Sequence, residues 1–120
     1  MPEKKNKIIT IIGLGYVGLP LAIRAAERGY EVFGFDRDEK KINLIKKGKS
    51  PFKENFISER KELLGKITAT TDAGVIKKSD IAIVCVPTPV DEKFFPILDP
   101  LIGAAEIIIK NRKKVQLVII

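Results

Sequence analysis

Short β-rich runs alternate along the chain with longer stretches whose apolar residues recur at helical spacing. Five runs read as strands: Ile8 to Ile12, Glu31 to Phe35, Ile67 to Thr70, Ile81 to Val86 and Val115 to Ile120. The fourth and fifth are almost continuously apolar, as strands covered on both faces of a parallel sheet are. Between the first two, Tyr16 to Arg28 places Val17, Leu21, Ala22 and Ala25 at helical spacing. That stretch tolerates Pro20 near its start and meets a left-handed stop at Gly29. Asp38 has the chemistry of an N-cap for a helix through Lys47 that buries Ile42 and Ile45 and ends at Gly48. Ser58 to Leu64 reads as a further helical stretch, and Asp72 caps a short turn of helix through Lys78. Asp99 followed by Pro100 predicts an N-cap with proline at the first helical position, with Leu101, Ala105 and Ile108 as the buried stripe. Lys110, Arg112, Lys113 and Lys114 then stand where they offset the negative end of the helix dipole.

Strand, helix, strand repeated in this order predicts right-handed crossovers and an α/β, doubly wound parallel sheet of about five strands. At 120 residues and 45% hydrophobic composition, one domain with one core is expected. The Ile81 to Val86 run is far shorter than the roughly 20 residues that a membrane span needs. The basic opening resembles the start of a signal peptide, but the apolar stretch behind it breaks at Gly13, so a cytoplasmic protein without a membrane partner is expected. Val115 to Ile120 has the pattern of an interior strand. Residues 1–120 are therefore expected to be the amino-terminal domain of a longer protein, truncated after the fifth strand.

Charge and composition narrow the chemistry. One cysteine and no histidine leave no parts for a structural zinc site, a disulfide framework or a histidine-dependent nucleophile. The formal charge of +7 attracts phosphorylated ligands of any kind. The basic residues are dispersed, however, without interleaved aromatics suited to stacking on bases. A solvated lysine-rich surface is the expectation, not nucleic-acid binding.

The informative motif is Gly13-Leu14-Gly15-Tyr16-Val17-Gly18, which leaves the first strand and opens the first helix. Each glycine of a G-x-G-x-x-G turn has its own reason. Gly13 permits the tight turn, Gly15 lets backbone approach a pyrophosphate, and Gly18 allows close helix packing. The helix start presents free N–H groups and partial positive charge to phosphates. Alone, such a hexapeptide is equally a turn that binds nothing. Asp36, at the end of the second strand and 18 residues after Gly18, supplies the missing partner, a carboxylate for ribose hydroxyls. Against a 2′-phosphate at about 4 Å, that carboxylate costs on the order of 1–4 kcal/mol, favouring NAD over NADP. Arg37 competes, since it is able to pair with a 2′-phosphate, lie over adenine or stay solvated. Cys85-Val86-Pro87-Thr88-Pro89 leaves the fourth strand at the same sheet edge, with Thr88 offering a hydroxyl between two rigid prolines. Cys85 lacks a neighbouring base and reads as a buried structural thiol.

Together, IIGLGYVGLPLA from Ile11 to Ala22, FDRD at Phe35 to Asp38, ATTD at Ala69 to Asp72 and IVCVPTP at Ile83 to Pro89 resemble the amino-terminal NAD-binding domain of the UDP-glucose/GDP-mannose dehydrogenase family. GLPLA joined to VPTP looks most like the branch acting on UDP-N-acetylglucosamine or UDP-N-acetylmannosamine. The resemblance implies a Rossmann-type sheet in the order 3-2-1-4-5. It also implies an oxidoreductase of polysaccharide biosynthesis that converts the C6 alcohol of a UDP-sugar to a carboxylate with two NAD. It implies a homodimer for the full-length enzyme, and catalytic cysteine, lysine, asparagine and aspartate residues in later sequence, so that this stretch binds cofactor and carries no catalytic residue. By the family pattern, Gly13, Gly15 and Gly18 form the pyrophosphate turn, and Tyr16 and Val17 donate backbone N–H groups. Asp36 takes the ribose, Arg37 the adenosine side, and Val86, Pro87 and Thr88 the cofactor wall. Phe52 to Lys66 departs from the pattern and receives no role, and the family's threonine segment after the fifth strand falls beyond Ile120.

Two other readings use the same glycines and acid: an NAD(H)-sensing regulatory module, and another Rossmann dehydrogenase of the 6-phosphogluconate or hydroxyacid type. Cys85 to Pro89 argues mildly against the last.

Overall fold

A computed structural model describes residues 7–113 and 116–120. Its centre is a sheet of five parallel strands in the order β3-β2-β1-β4-β5. The strands are β1 (Ile8–Ile12), β2 (Glu31–Phe35), β3 (Ile67–Thr70), β4 (Ile81–Val84) and β5 (Leu117–Ile119). This is the expected doubly wound Rossmann-type arrangement. Ile12 pairs in register with Phe35 on one side and Val84 on the other, so the three central strands end level at their carboxyl edge. In sheets of this kind that edge is where ligands bind.

Helices cover both faces. Helix α1 (Gly18–Glu27) buries Leu19, Ala22, Ile23 and Ala26. The stripe expected from Val17, Leu21 and Ala25 is rotated, because the helix begins at Gly18 and leaves Val17 70% exposed. Leu21 and Ala25 are only partly buried at its flank. Asp38 caps α2 (Glu39–Lys46) by accepting from the N–H groups of Lys40 and Lys41, and Ile42 and Ile45 are buried as expected. These residues join Ile9, Ile11 and Ile67 in the core on one face. A fully buried aliphatic side chain contributes roughly 1.5–3 kcal/mol each.

The expected helix from Ser58 to Leu64 is two short helices, α3 (Asn55–Ser58) and α4 (Lys61–Leu64). Glu54 caps the first with both carboxylate oxygens, and Arg60 leaves helical geometry between them. Asp72 caps a 3₁₀ turn, Ala73–Lys78, through the Gly74 N–H.

The second face is closed by α5 (Asp99–Asn111), which places Ala104 and Ile108 on Ile12, Phe35, Ala82 and Val84. Ala105, expected in the buried stripe, is exposed, since the helix turns Ala104 inward. Asp99 is the first helical residue and not the cap; Leu98 holds that position without a side-chain hydrogen bond. Lys110 lies in the last turn, whereas Lys113 donates to Asp80 at 2.7 Å. Lys114 and Val115 lie outside the described residues.

One strand differs from expectation. β4 stops at Val84, two residues early, although the Cys85 N–H still donates to the Ile12 carbonyl at 2.7 Å. Among the described residues β5 stands last in the strand order, paired in parallel with β4, and Leu117 to Ile119 are exposed there.

Candidate functional site

The carboxyl edge of β1 leads into a turn that only glycine fits. Gly13 has φ +97° and donates its N–H to the Phe35 carbonyl at 2.8 Å. A Cβ there would lie 2.7 Å from the Cys85 carbonyl oxygen, so β4 closes on the turn from the other side. At Gly18 a Cβ would stand 1.7 Å from the Gly13 carbonyl oxygen and 3.2 Å from the Cys85 Cβ. Gly18 therefore lets the helix start pack on its own turn and on the end of β4, a tighter reason than helix-on-sheet packing. Over Gly15 the space is open, with nothing within 4 Å of a Cβ. Helix α1 starts there without a side-chain cap and without an acidic residue in its first turn. Its positive end and free N–H groups are left facing that space.

Tyr16 and Val17 are exposed at the same turn. The Tyr16 ring packs against Phe52, with centroids 4.3 Å apart. Phe52 lies in the segment to which the sequence assigns no role.

Asp36 follows β2 and is oriented by backbone. Its Oδ2 accepts from the Leu14 N–H at 2.9 Å and from Lys41 Nζ at 3.0 Å, and its Oδ1 accepts from the Asp38 N–H at 2.9 Å. The side chain is 13% exposed. Burial pushes the carboxyl's pKa up, but the Asp38 and Leu14 N–H groups and the Lys41 ammonium outweigh burial and hold it below the ordinary value. A carboxylate has about four acceptor sites, so one remains free on Oδ1 for a further donor.

Asp36 lines a crevice of about 380 Å³ floored by Ile12, Gly13 and Phe35. Arg37 and Lys41 stand on the same side as Asp36, and Val86 and Pro87 form the wall from β4. Asp99, Pro100, Ala104 and Ile107 of α5 complete it, three of the four presenting apolar surface. Thus Gly13, Asp36, Arg37, Val86 and Pro87 meet at one cavity, with Gly15, Tyr16, Val17 and Gly18 at the adjoining helix start. Thr88 is exposed and does not line the crevice. Cys85 is half-buried and beyond the strand, and burial pushes its thiol pKa up.

Lys41 and the α5 wall are the residues that sequence reasoning missed. For Lys41 a signal existed: it lies five residues past Asp36 and within the first turn after the Asp38 cap. No local signal marks Pro100, Ala104 or Ile107, which reach the crevice only because α5 returns beside β1 and β4.

These features form one unit: a glycine turn, an uncapped helix start, an acid at the end of the neighbouring strand and an apolar slot across from it. Residues 7–120 match the model of the UDP-glucose/GDP-mannose dehydrogenase family, NAD binding domain. The chain belongs to this family. Across 96% of its length it is 37% identical to UDP-N-acetyl-D-glucosamine 6-dehydrogenase of Pseudomonas aeruginosa, covering 27% of that protein. Over 68% of its length it is 44% identical to GDP-mannose 6-dehydrogenase of Pseudomonas syringae pv. syringae, covering 19% of it. Among solved structures it superposes on UDP-D-ManNAc dehydrogenase from Pyrococcus horikoshii with a TM-score of 0.86 at 35% identity, covering 92% of this chain and 27% of that one. The chain thus spans about a quarter or less of the length of these family members. Among the described residues, no helix is long and apolar enough to cross a membrane.

Proposed function

We propose that residues 1–120 are the NAD-binding domain of a longer, cytoplasmic nucleotide-sugar 6-dehydrogenase. That enzyme oxidises the C6 alcohol of a UDP-sugar, a UDP-N-acetyl hexosamine by preference, to a uronic acid, and works as a homodimer. Converting an alcohol to a carboxylate removes four electrons, hence two NAD per turnover; when bound, NAD supplies the hydride acceptor. The supporting relatives named above act, by their names, on UDP-N-acetyl sugars or GDP-mannose.

The observation that carries the proposal is the Asp36 carboxylate, held beside an uncapped helix start across from an open glycine. The residues present fit a dinucleotide. Gly15 leaves room for backbone to approach a diphosphate, and the Tyr16 and Val17 N–H groups at the helix start donate to it. Gly13 and Gly18 shape that turn. The free acceptor of Asp36 takes a ribose hydroxyl, while Arg37 flanks the adenosine. Val86 and Pro87 form the opposite wall, and Thr88 lies beyond it at the surface. The catalytic groups belong to sequence outside this domain, which binds cofactor without turning over substrate.

Calorimetric titration with NAD and NADP tests the cofactor half. NAD is expected to bind more tightly, and equal or tighter NADP binding refutes the role of Asp36. A longer polypeptide containing this domain is expected to release NADH with UDP-N-acetylglucosamine or UDP-N-acetylmannosamine. Inactivity with every UDP-sugar removes the enzymatic half.

A further inference from the structure

Gly103 sits in the interior of α5, a 13-residue helix, between Ile102 and Ala104. Glycine there weakens a helix relative to alanine, and Gly103 is neither a cap nor a kink. What occupies the space a side chain would fill is the guanidinium of Arg37. A Cβ built on Gly103 would lie 2.7 Å from Nη2, 3.6 Å from Cζ and 3.9 Å from Nη1 of that arginine. Arg37 leaves the chain directly after Asp36, on the opposite side of the crevice from α5. Its side chain therefore spans from the end of β2 to the bare backbone of α5. Arg37 is exposed overall and, among the described residues, has no ion-pair partner, so no opposite charge accounts for its place against Gly103.

We propose that Gly103 is a positioning residue for Arg37: its missing side chain is the notch that seats the guanidinium across the crevice beside the apolar surface of Pro100, Ala104 and Ile107. The inference rests on the NAD-binding reading above and adds a determinant of adenosine affinity on α5. A purine ring laid on that apolar surface is flanked by a planar, weakly hydrated cation, which is attracted to aromatic faces. Any Cβ at residue 103 moves the guanidinium; a large side chain displaces it. The helix gives up stability at Gly103 for that seat.

The test titrates the 120-residue chain calorimetrically with NAD and with ADP-ribose, which retains the adenosine half, alongside thermal unfolding. Gly103→Ala is expected to raise Tm by about 2–5 °C, as a better helix former, while weakening both ligands roughly threefold. Gly103→Leu is expected to weaken both roughly threefold to tenfold, as is Arg37→Ala. In the Arg37→Ala background, Gly103→Leu is expected to add no further loss. The proposal is overturned if Gly103→Ala binds both ligands like the unaltered chain, or if Gly103→Leu costs as much without Arg37 as with it. Failure of the unaltered chain to bind NAD overturns the NAD-binding reading and this inference together, an outcome distinct from either of those.

Discussion

The backbone N–H of Leu14 donates to Oδ2 of Asp36 across 22 residues of sequence at 2.9 Å. The bond ties the glycine turn after β1 to the acid after β2, so the two halves of the proposed nucleotide site are oriented by one another. Leu14 itself is fully buried. The donor is thus anchored in the core, and the carboxylate is aimed before any ligand arrives.

Asp36→Asn keeps the shape of the side chain and removes its charge. The variant is expected to lose the Lys41 ion pair and a charge-assisted acceptor for the ligand, weakening NAD about tenfold to a hundredfold, or roughly 1.5–3 kcal/mol. The discrimination against NADP should shrink at the same time. Parallel titrations with both cofactors measure the two effects, and an unchanged NAD affinity contradicts the assigned role.

The carboxyl of Asp36 should titrate below the ordinary aspartate value of about 3.9. Because the folded pKa is depressed, its contribution to stability is complete above the unfolded value and is lost as pH falls through the lower folded value. Lys41→Met removes one of the three groups that stabilise the charged form, so the pKa rises and the loss begins at higher pH. Carbon-detected NMR titration of the side-chain carboxyl reads this directly; identical titration curves in both proteins would exclude the Lys41 contribution.

Gly15 and Gly18 are expected to separate fold from function. Gly15→Ala meets open space, so Tm should stay within a degree or two of the parent while NAD binding weakens markedly. Gly18→Ala drives a Cβ into the Gly13 carbonyl, which is rigid backbone, and should cost about 1–3 kcal/mol or more as overpacking does. Denaturant unfolding beside calorimetry checks the pair. Equal destabilisation by both would mean that the space over Gly15 is not a ligand cradle.

Asp80 fastens the amino end of the sheet: Oδ2 accepts from the Ile8 N–H at 2.9 Å and Oδ1 from Lys113 Nζ. The Lys113 ammonium, then the Ile8 N–H, hold its carboxyl below the usual range. Its stabilising effect is present above about pH 4 and declines as the medium is acidified through the folded value. Urea midpoints measured from neutral to strongly acid pH should fall less steeply for Asp80→Asn than for the parent. Parallel profiles would remove Asp80 from the acid response.

Local chemistry made much of this protein readable. A cap such as Asp38 acts within three residues, a glycine turn is set by its own φ and contacts, and period two or 3.6 reports which face of an element is buried. These signals are short-range, so the α2 cap, the approximate strands and the glycine turn followed by an acid after the second strand follow from the sequence by itself, while the sheet order comes from the family resemblance. Where context decides burial, the same signals fell short. Val17 and Ala105 fit a helical stripe yet face solvent, because a one-residue change in helix phase rotates the buried face by about 100°. Phe52 on Tyr16 and Arg37 against Gly103 join positions that no periodicity links. Only the tertiary structure decided them, since each contact depends on where a helix or loop returns relative to the carboxyl edge of the sheet.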